Sequence, residues 1–231
     1  MRAAEELKEF ARDQGASLVG VADLAALKEG LRVVPPDILQ PYGRAVSIAV
    51  ALEPGIIEAL GERPTPEYAA HYREANKRLD ALAEDVAQWI AEEGYRALPV
   101  AASHIVDDVE LRGSVSHKAV ARMAGIGWQG KSLLIVSPEY GPALRLATVL
   151  TDMPLPADKP LANGCGGCFE CAEACPAMAI KGEPTGDYYK SREEAVDISK
   201  CNLRLMENLA LPGIGARVCG ICIKVCPHRR G

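Results

Sequence analysis

The pattern of apolar and polar residues predicts alternating helices and strands over the first half of the chain. Apolar residues on one face predict a helix over residues 3–14, which Gly15 ends. The short apolar run 18–22 predicts a strand. A second run, 45–52, lacks alternation, which is typical of a strand that is covered on both faces.

The longest predicted element is a helix over residues 67–93, where apolar and aromatic residues recur at gaps of three and four. Gly94 ends this helix, and residues 95–101 predict another strand. Residues 116–124 predict a further helix. Because helices and strands alternate, we expect this part of the chain to form an α/β layer.

A β-hairpin is predicted next, with strands over residues 133–136 and 144–150 and a turn at 138–141. A proline-rich stretch then separates the layer from the rest of the chain. We therefore predict an α/β module for a cofactor or partner over residues 1–156, followed by a smaller domain over residues 157–231.

Cysteine spacing in the smaller domain indicates iron–sulfur chemistry. The chain has eight cysteines, and the first four follow the pattern C-x2-C-x2-C-x3-C-P, which is typical of [4Fe-4S] ligands. A second pattern, C-x2-C-x3-C-P, lacks one upstream thiol, which only Cys201 is left to supply. In bacterial ferredoxins the last cysteine of each run ligates the other cluster. That rule assigns Cys165, Cys168, Cys171 and Cys226 to one cluster, and Cys175, Cys201, Cys219 and Cys222 to the other.

Zinc and disulfides are the alternatives for these thiols. Structural zinc favours separated C-x2-C pairs rather than three cysteines in one tight run. Disulfides need an oxidising compartment, and the first residues show no apolar signal segment. We therefore predict an α+β protein: an N-terminal α/β sandwich-like module and a C-terminal ferredoxin-like double [4Fe-4S] domain.

Composition narrows the class of protein further. The net charge is -5 over 231 residues, which argues against a general nucleic-acid binder. No apolar run approaches the roughly 18 residues of a membrane span, so we expect a cytoplasmic protein without a membrane partner.

Residues 125–132 match the phosphate-loop pattern G-x-x-x-x-G-K-[ST]. A phosphate loop requires a strand before it and a helix after it, because its backbone N–H groups and the helix N-terminus face the phosphates. Here a predicted helix precedes the glycines and a β-rich run follows Lys131. We therefore do not expect nucleotide binding.

The glycine-rich turn, the downstream residues 151–160 and the two cysteine patterns together resemble the epoxyqueuosine reductase family, in sequence and in order. The resemblance is specific from about residue 116 onward. It implies a cobalamin-binding α/β module that receives electrons from a two-cluster domain, for a reductive deoxygenation on tRNA. It also implies that Trp128 and Lys131 lie near the cofactor pocket.

This sequence differs from the family in two features that affect whether it carries out the family's reaction. The family's proton-donor aspartate aligns with Leu111, beside Glu110, unless an insertion brings Asp107 or Asp108 into that register. Bacterial members also continue into helical repeats that grip tRNA, whereas this sequence ends at Gly231. With the acidic charge balance, this leads us to expect that tRNA is not the substrate.

Titratable residues cluster before the glycine-rich turn, and we select Asp107 and His117 as catalytic candidates for proton donation or axial cobalt ligation. The competing interpretation is a solvated loop and a polar helix face. We expect an iron–sulfur oxidoreductase that takes electrons from a low-potential donor such as ferredoxin or flavodoxin and passes them to a corrinoid, a corrinoid protein or a similar redox partner. The alternatives are a plain electron-transfer protein that docks a partner enzyme, and an epoxyqueuosine reductase acting on tRNA.

Overall fold

The computed structural model describes residues 2–28, 32–107 and 111–229. The helices within this part are α1 (Arg2–Asp13), α2 (Ala25–Lys28), α3 (Pro54–Glu58), α4 (Pro66–Glu92), α5 (His117–Met123), α6 (Glu170–Glu173), α7 (Arg192–Ala195), α8 (Ile198–Leu209) and α9 (Ile221–Lys224). The strands are β1 (Leu18–Asp23), β2 (Arg44–Ala51), β3 (Ala97–Val100), β4 (Trp128–Gln129), β5 (Ile135–Val136) and β6 (Leu144–Thr151).

The chain folds into two compact units that are each built from separate stretches of sequence. The first unit comprises Met1–Val50, Asn76–Ile126 and Arg145–Leu161, and the second comprises Ala51–Ala75, Gly127–Leu144 and Ala162–Gly231. The predicted division into domains at residue 156 stays a prediction. The compact units are a different grouping, because two stretches that precede residue 156 pack with the cysteine-rich segment.

The first unit is organised around a four-stranded sheet. Its described strands lie in the order β1-β2-β6-β3, and the pairs β1/β2 and β3/β6 are antiparallel. Residues 45–50 of β2 are buried without interruption, as the lack of alternation predicted. Helices α1 and α4 cover one face, where Leu7 and Leu79 pack with Val21 of β1 in one apolar cluster.

The opposite face of the sheet is covered by α5. Side chains alternate across a strand, so Gly20 points away from the cluster that contains its neighbour Val21. A Cβ at Gly20 would lie 2.1 Å from the carbonyl oxygen of Ala124, the residue that caps α5. The sheet is therefore sandwiched between helices, which confirms the predicted α/β layer.

The predicted hairpin of residues 133–136 with 144–150 is wrong. Strand β5 pairs with β4 instead, in the register Trp128 opposite Val136, and β6 lies between β2 and β3. The turn between β4 and β5 is closed by the Gly130 N–H, which donates to the Leu134 carbonyl at 2.8 Å. Strand β6 is buried on both faces over residues 146–151, which an isolated hairpin does not allow.

The second unit obtains its apolar core from residues outside the cysteine-rich segment. Leu60 and Tyr68, from residues 51–75, pack with Ile214, Val218 and Ile223. Through this packing, residues 51–75 supply part of the apolar core for a cysteine-rich segment that has many glycines. Among the described residues, no helix combines the length and the apolar character that a bilayer crossing requires.

We predict that Gly20→Ala destabilises the first unit. The new methyl group would overlap the Ala124 carbonyl, and an overpacked contact of this kind costs about 1–3 kcal/mol. In a chain of this size the apparent Tm falls by about 2–4 °C for each kcal/mol. The measurement is thermal unfolding followed by far-UV circular dichroism under anaerobic conditions.

Gly43→Ala is the matched control, because a Cβ at Gly43 would meet no atom within 4 Å. We expect its Tm to stay close to that of the wild-type protein. Equal Tm values for the two variants would show that β1 does not approach α5 as closely as the structure has it.

Candidate iron–sulfur site

The first cysteine run forms an irregular loop around α6. The Asn163 side chain starts the loop by accepting a hydrogen bond from the Cys165 N–H at 2.9 Å. The Cys168 N–H then turns back to the Cys165 carbonyl at 3.0 Å. Gly166 has a φ of 47°, a left-handed conformation that favours glycine and lets the chain reverse between the two thiols.

The last cysteine run is held against the scaffold of the second unit. Gly220, with a φ of 86°, precedes α9 and leaves no room for a side chain, since a Cβ there would lie 2.6 Å from Leu60 Cδ1. Lys224, in the last turn of α9, donates to the Leu60 carbonyl. These contacts fix the positions of Cys219 and Cys222 on either side of the start of the helix.

The structure gathers four thiols from the first run and the end of the chain. Burial, together with the nearby Cys165, Cys226 and Cys168, raises the pKa of Cys171 to about 11. Cys226 likewise has a raised pKa through burial, with Cys165 and Cys168 as its neighbouring thiols. These four thiols are the ones that the crossover rule assigns to one cluster.

The remaining thiols form a second group. Burial raises the pKa of Cys222 strongly, and Cys219, Cys201, Cys171 and Cys175 contribute to the increase. Cys219 has a pKa raised by burial, and Cys175 adds to it. The assignment of each thiol to one cluster stays a prediction. Cys171 and Cys222 line the same pocket, which indicates that the two groups are adjacent.

The donor set fits two [4Fe-4S] clusters. All eight cysteines are free thiols of intermediate exposure, four to each group. Backbone N–H groups point at sulfur, as they do around iron–sulfur clusters, and the Ala179 N–H lies 3.4 Å from Cys175 Sγ. Thiols with pKa values raised by burial lose their protons when they bind metal.

A pocket lined by the first thiol group extends to the β4–β5 hairpin. Its lining comprises Gly130, Lys131, Ser132, Val136, Cys165, Cys168, Cys171, Cys222, Cys226, Pro227 and His228. A Cβ at Gly130 would lie 2.9 Å from Val136 Cγ2 and 3.7 Å from Cys165 Sγ. The glycine therefore allows the hairpin to approach the thiols closely.

Lys131 and Trp128, the predicted cofactor residues, lie in the second unit beside the cysteine loops. Lys131 is 3% exposed, and its Nζ donates to the Cys168 carbonyl at 2.8 Å. Trp128 packs edge-on against His228, with ring centroids 5.0 Å apart, and on Gly164, where a Cβ would lie 2.8 Å from the indole. The indole Nε1 is buried and has no hydrogen-bond partner within the described part of the chain. A role for either residue in corrinoid binding stays a prediction.

His117 lies at the start of α5, where both ring nitrogens are hydrogen-bonded within the first unit. Nδ1 lies 2.8 Å from Thr148 Oγ1 and Nε2 lies 3.0 Å from the Ala101 carbonyl. The carbonyl requires Nε2 to carry the proton, so Nδ1 accepts from the threonine hydroxyl. Burial lowers the pKa of His117, and Arg145 adds to this, although the Ala101 hydrogen bond opposes it. These contacts favour a neutral, structural histidine.

Asp107 lies in an irregular loop of the first unit. Its backbone forms an isolated bridge with Arg112, and the Asp107 N–H donates to the Arg112 carbonyl at 3.1 Å. Leu111, the position aligned with the family's proton donor, has a φ of 54°. Asp108 and Glu110, the other acidic candidates, lie outside the described residues. The catalytic roles of Asp107 and His117 stay predictions.

Sequence reasoning missed several residues around the first thiol group. Tyr189 is 6% exposed, and its N–H donates to Gln129 Oε1 at 2.9 Å. Its pKa is raised by burial, and by Cys165 and Cys171 close to its phenol. His228, which follows Cys226-Pro227, places Nε2 3.1 Å from the Gly164 carbonyl. The position of His228 after a ligating cysteine was a usable signal, whereas nothing in the sequence linked Tyr189 to the thiols.

The cysteine-rich segment matches a known protein family. Residues 164–229, which include all eight cysteines, match the model of the 4Fe-4S double cluster binding domain. Two [4Fe-4S] clusters are therefore the metal centres of this domain. The same match favours iron–sulfur clusters over the zinc alternative.

Relatives cover the whole chain. The epoxyqueuosine reductase of Pseudomonas aeruginosa is 28% identical over an alignment 265 positions long, which spans 99% of this chain and 69% of the relative. That of Bacillus cereus is 35% identical over 137 residues, or 54% of this chain. This match spans only 33% of the Bacillus protein, about a third of its length.

The fold agrees with these matches. A solved epoxyqueuosine reductase superposes with a TM-score of 0.63 at 26% identity, covering 98% of this chain and 65% of that protein. The match therefore extends beyond the cysteine-rich segment to the sheet and helices of the first unit. The chain is similar to epoxyqueuosine reductases over nearly its whole length, and it is an α+β protein with a sheet-and-helix module and a C-terminal double [4Fe-4S] domain.

Proposed function

We propose that the protein is an iron–sulfur reductase that relays low-potential electrons through its two clusters to a bound corrinoid or a similar redox partner. The observation that carries the proposal is the arrangement of eight thiols in two adjacent groups, since Cys171 and Cys222 of the other group line the same pocket. Adjacent clusters suit one-electron transfer between them. A bound corrinoid would supply the low-valent cobalt that does the chemistry of reduction.

The corrinoid part of the proposal rests on the family. The resemblance extends over both units, and the family pairs a double-cluster domain with a cobalamin-binding module. The electron donor would be a low-potential protein such as ferredoxin or flavodoxin, since [4Fe-4S] clusters of this type work in the low-potential range. A corrinoid held by a partner protein would serve the same chemistry.

An epoxyqueuosine reductase acting on tRNA is the second candidate, and the alignment with the Pseudomonas aeruginosa enzyme over 99% of this chain favours it. The net charge of -5 counts against it, because tRNA binding depends on a basic surface. A plain electron-transfer protein without a corrinoid is the third candidate. A cobalamin titration of the reconstituted protein distinguishes this third candidate from the other two.

We predict that the anaerobically reconstituted chain binds cobalamin and reduces its cobalt when a low-potential chemical reductant is added. The measurement is an absorbance titration in the cobalamin bands, with the cluster-free chain as control. The cluster-free chain should leave the spectrum of cobalamin unchanged over the same time. If the reconstituted protein neither binds cobalamin nor alters its spectrum, the corrinoid part of the proposal is wrong and only the electron-transfer part remains.

The ligand assignment predicts different iron contents for two double variants that share one substitution. Cys165→Ala with Cys226→Ala removes two ligands of the same cluster, so about four of the eight iron atoms should remain. Cys222→Ala with Cys226→Ala removes ligands from both clusters, although these cysteines lie in one sequence run, and nearly all iron should be lost. Iron and sulfide are quantified per chain after anaerobic reconstitution. The reverse order of iron contents would disprove the crossover.

His117 is predicted to contribute to stability rather than to reduction. Burial lowers its pKa, so the stability that it contributes is present above the unfolded-state pKa of about 6.5 and is lost as the pH falls from that value through the lower folded-state pKa. His117→Gln should therefore lower the Tm at pH 7.5, and the difference from the wild-type protein should shrink toward pH 5.5. Thermal unfolding at both pH values measures this.

The exposed His104 provides the control, since His104→Gln should show no such pH-dependent difference. Cobalamin reduction by folded His117→Gln should proceed at the wild-type rate. A large loss of that rate, with an unchanged Tm, would return His117 to a catalytic role.

A further inference from the structure

Lys131 is a buried cation beside the first cysteine loop of the second unit. Its side chain is 3% exposed, whereas lysine is almost never fully buried unless it is paired. The ammonium group donates to the Cys168 carbonyl at 2.8 Å and lies 4.1 Å from the centroid of the Phe169 ring. Both contacts belong to the first cysteine loop.

These contacts do not neutralise the charge of Lys131. Among the residues that the structure describes, no carboxylate forms an ion pair with its Nζ. A carbonyl and an aromatic ring supply only partial negative charge, and a buried charge is costly unless a full counter-charge is close. The site is therefore incomplete without an anionic group.

The pocket beside Lys131 provides the place for such a group. Lys131 lines it together with all four thiols assigned to one cluster, whereas the other group contributes Cys222 alone. A cluster with four thiolate ligands carries net negative charge, and reduction by one electron adds to that charge. A fixed cation nearby therefore favours the reduced form.

The cations beside the other thiol group are different. Arg63 and Arg204 both lower the pKa of Cys219, and Arg204 lies three residues after Cys201 on α8. Its guanidinium forms an ion pair with Glu207 at 3.3 Å, and Arg63 contacts the same carboxylate at 3.7 Å. Glu207 offsets one of these two positive charges and solvent screens the half-exposed Arg63, whereas Lys131 is buried and has no carboxylate partner among the described residues.

We propose that Lys131 is the buried counter-ion of the cluster held by Cys165, Cys168, Cys171 and Cys226, and that it raises the reduction potential of this cluster above that of the other. The proposal rests on the two-cluster relay inferred above. One electron from a low-potential donor reduces the second cluster, which is then reoxidised as it passes that electron to the cluster beside Lys131. Lys131 thereby sets the direction of transfer, without touching the substrate.

The test is an EPR-monitored redox titration of anaerobically reconstituted Lys131→Met, which keeps the length of the side chain and removes its charge. At a fixed solution potential, the ratio of reduced to oxidised cluster should fall about tenfold for one cluster, or about 59 mV for a one-electron couple. That cluster is identified as the one whose signal is missing from Cys171→Ala. The signal of the other cluster should not shift.

Two further variants separate charge from structure. Lys131→Arg keeps the charge and should keep the wild-type ratio. Lys181→Met removes the same charge elsewhere in the second unit, where exposed Lys181 donates to the Glu193 carbonyl, and it should shift neither cluster. An unchanged ratio in Lys131→Met, or equal shifts in Lys131→Met and Lys131→Arg, would overturn the proposal.

Iron content covers the case in which Lys131→Met loses a cluster. Retention of all iron and of the wild-type ratio by Lys131→Arg would then support the charge as the requirement, and loss of iron from both variants would contradict it. The readout does not involve cobalamin. A chain that fails to reduce cobalamin can therefore still pass or fail this test.

Discussion

Eight thiols must be held in two groups by a segment that is too rich in loops and glycines to form a core of its own. Loops that carry metal ligands gain their stability from the metal and from whatever scaffold fixes their ends. Here the scaffold comes from earlier in the chain, because Leu60 and Tyr68 pack against the run that carries Cys219 and Cys222. The cluster-binding segment and residues 51–75 consequently lie in one compact unit.

The hairpin of β4 and β5 places a positive charge beside the first cysteine loop of the same unit. Gly130 permits the hairpin to approach Cys165, and the next residue, Lys131, places a cation against the Cys168 loop. A phosphate-loop sequence is thereby used for a different purpose: its glycines allow close packing and its lysine faces carbonyl oxygen and thiols. The local order, with α5 before the glycines and β5 after Lys131, is the order that the sequence predicted, whereas β4 was not predicted.

Periodicity predicted the elements that bury a continuous stripe or run, such as α1, α4 and β2, because burial imposes that pattern directly. It failed at β6, since a doubly buried strand does not reveal which neighbours it pairs with. Thiol spacing predicted the metal ligands, because cluster geometry constrains sequence within a short loop. The surroundings of the site could not be predicted in this way. Tyr189 and Lys131 reach the thiols through tertiary packing, and His117 was selected for its chemistry although both of its nitrogens are used by the fold.

The account depends on iron and sulfide at these thiols. The most direct measurement is the metal content of the chain purified anaerobically, by elemental analysis together with Mössbauer spectroscopy. Two clusters predict about eight iron and eight sulfide per chain, with the spectrum of [4Fe-4S] centres and negligible zinc. Stoichiometric zinc in place of iron, with no labile sulfide, would contradict the assignment and leave the proposed electron relay without a carrier.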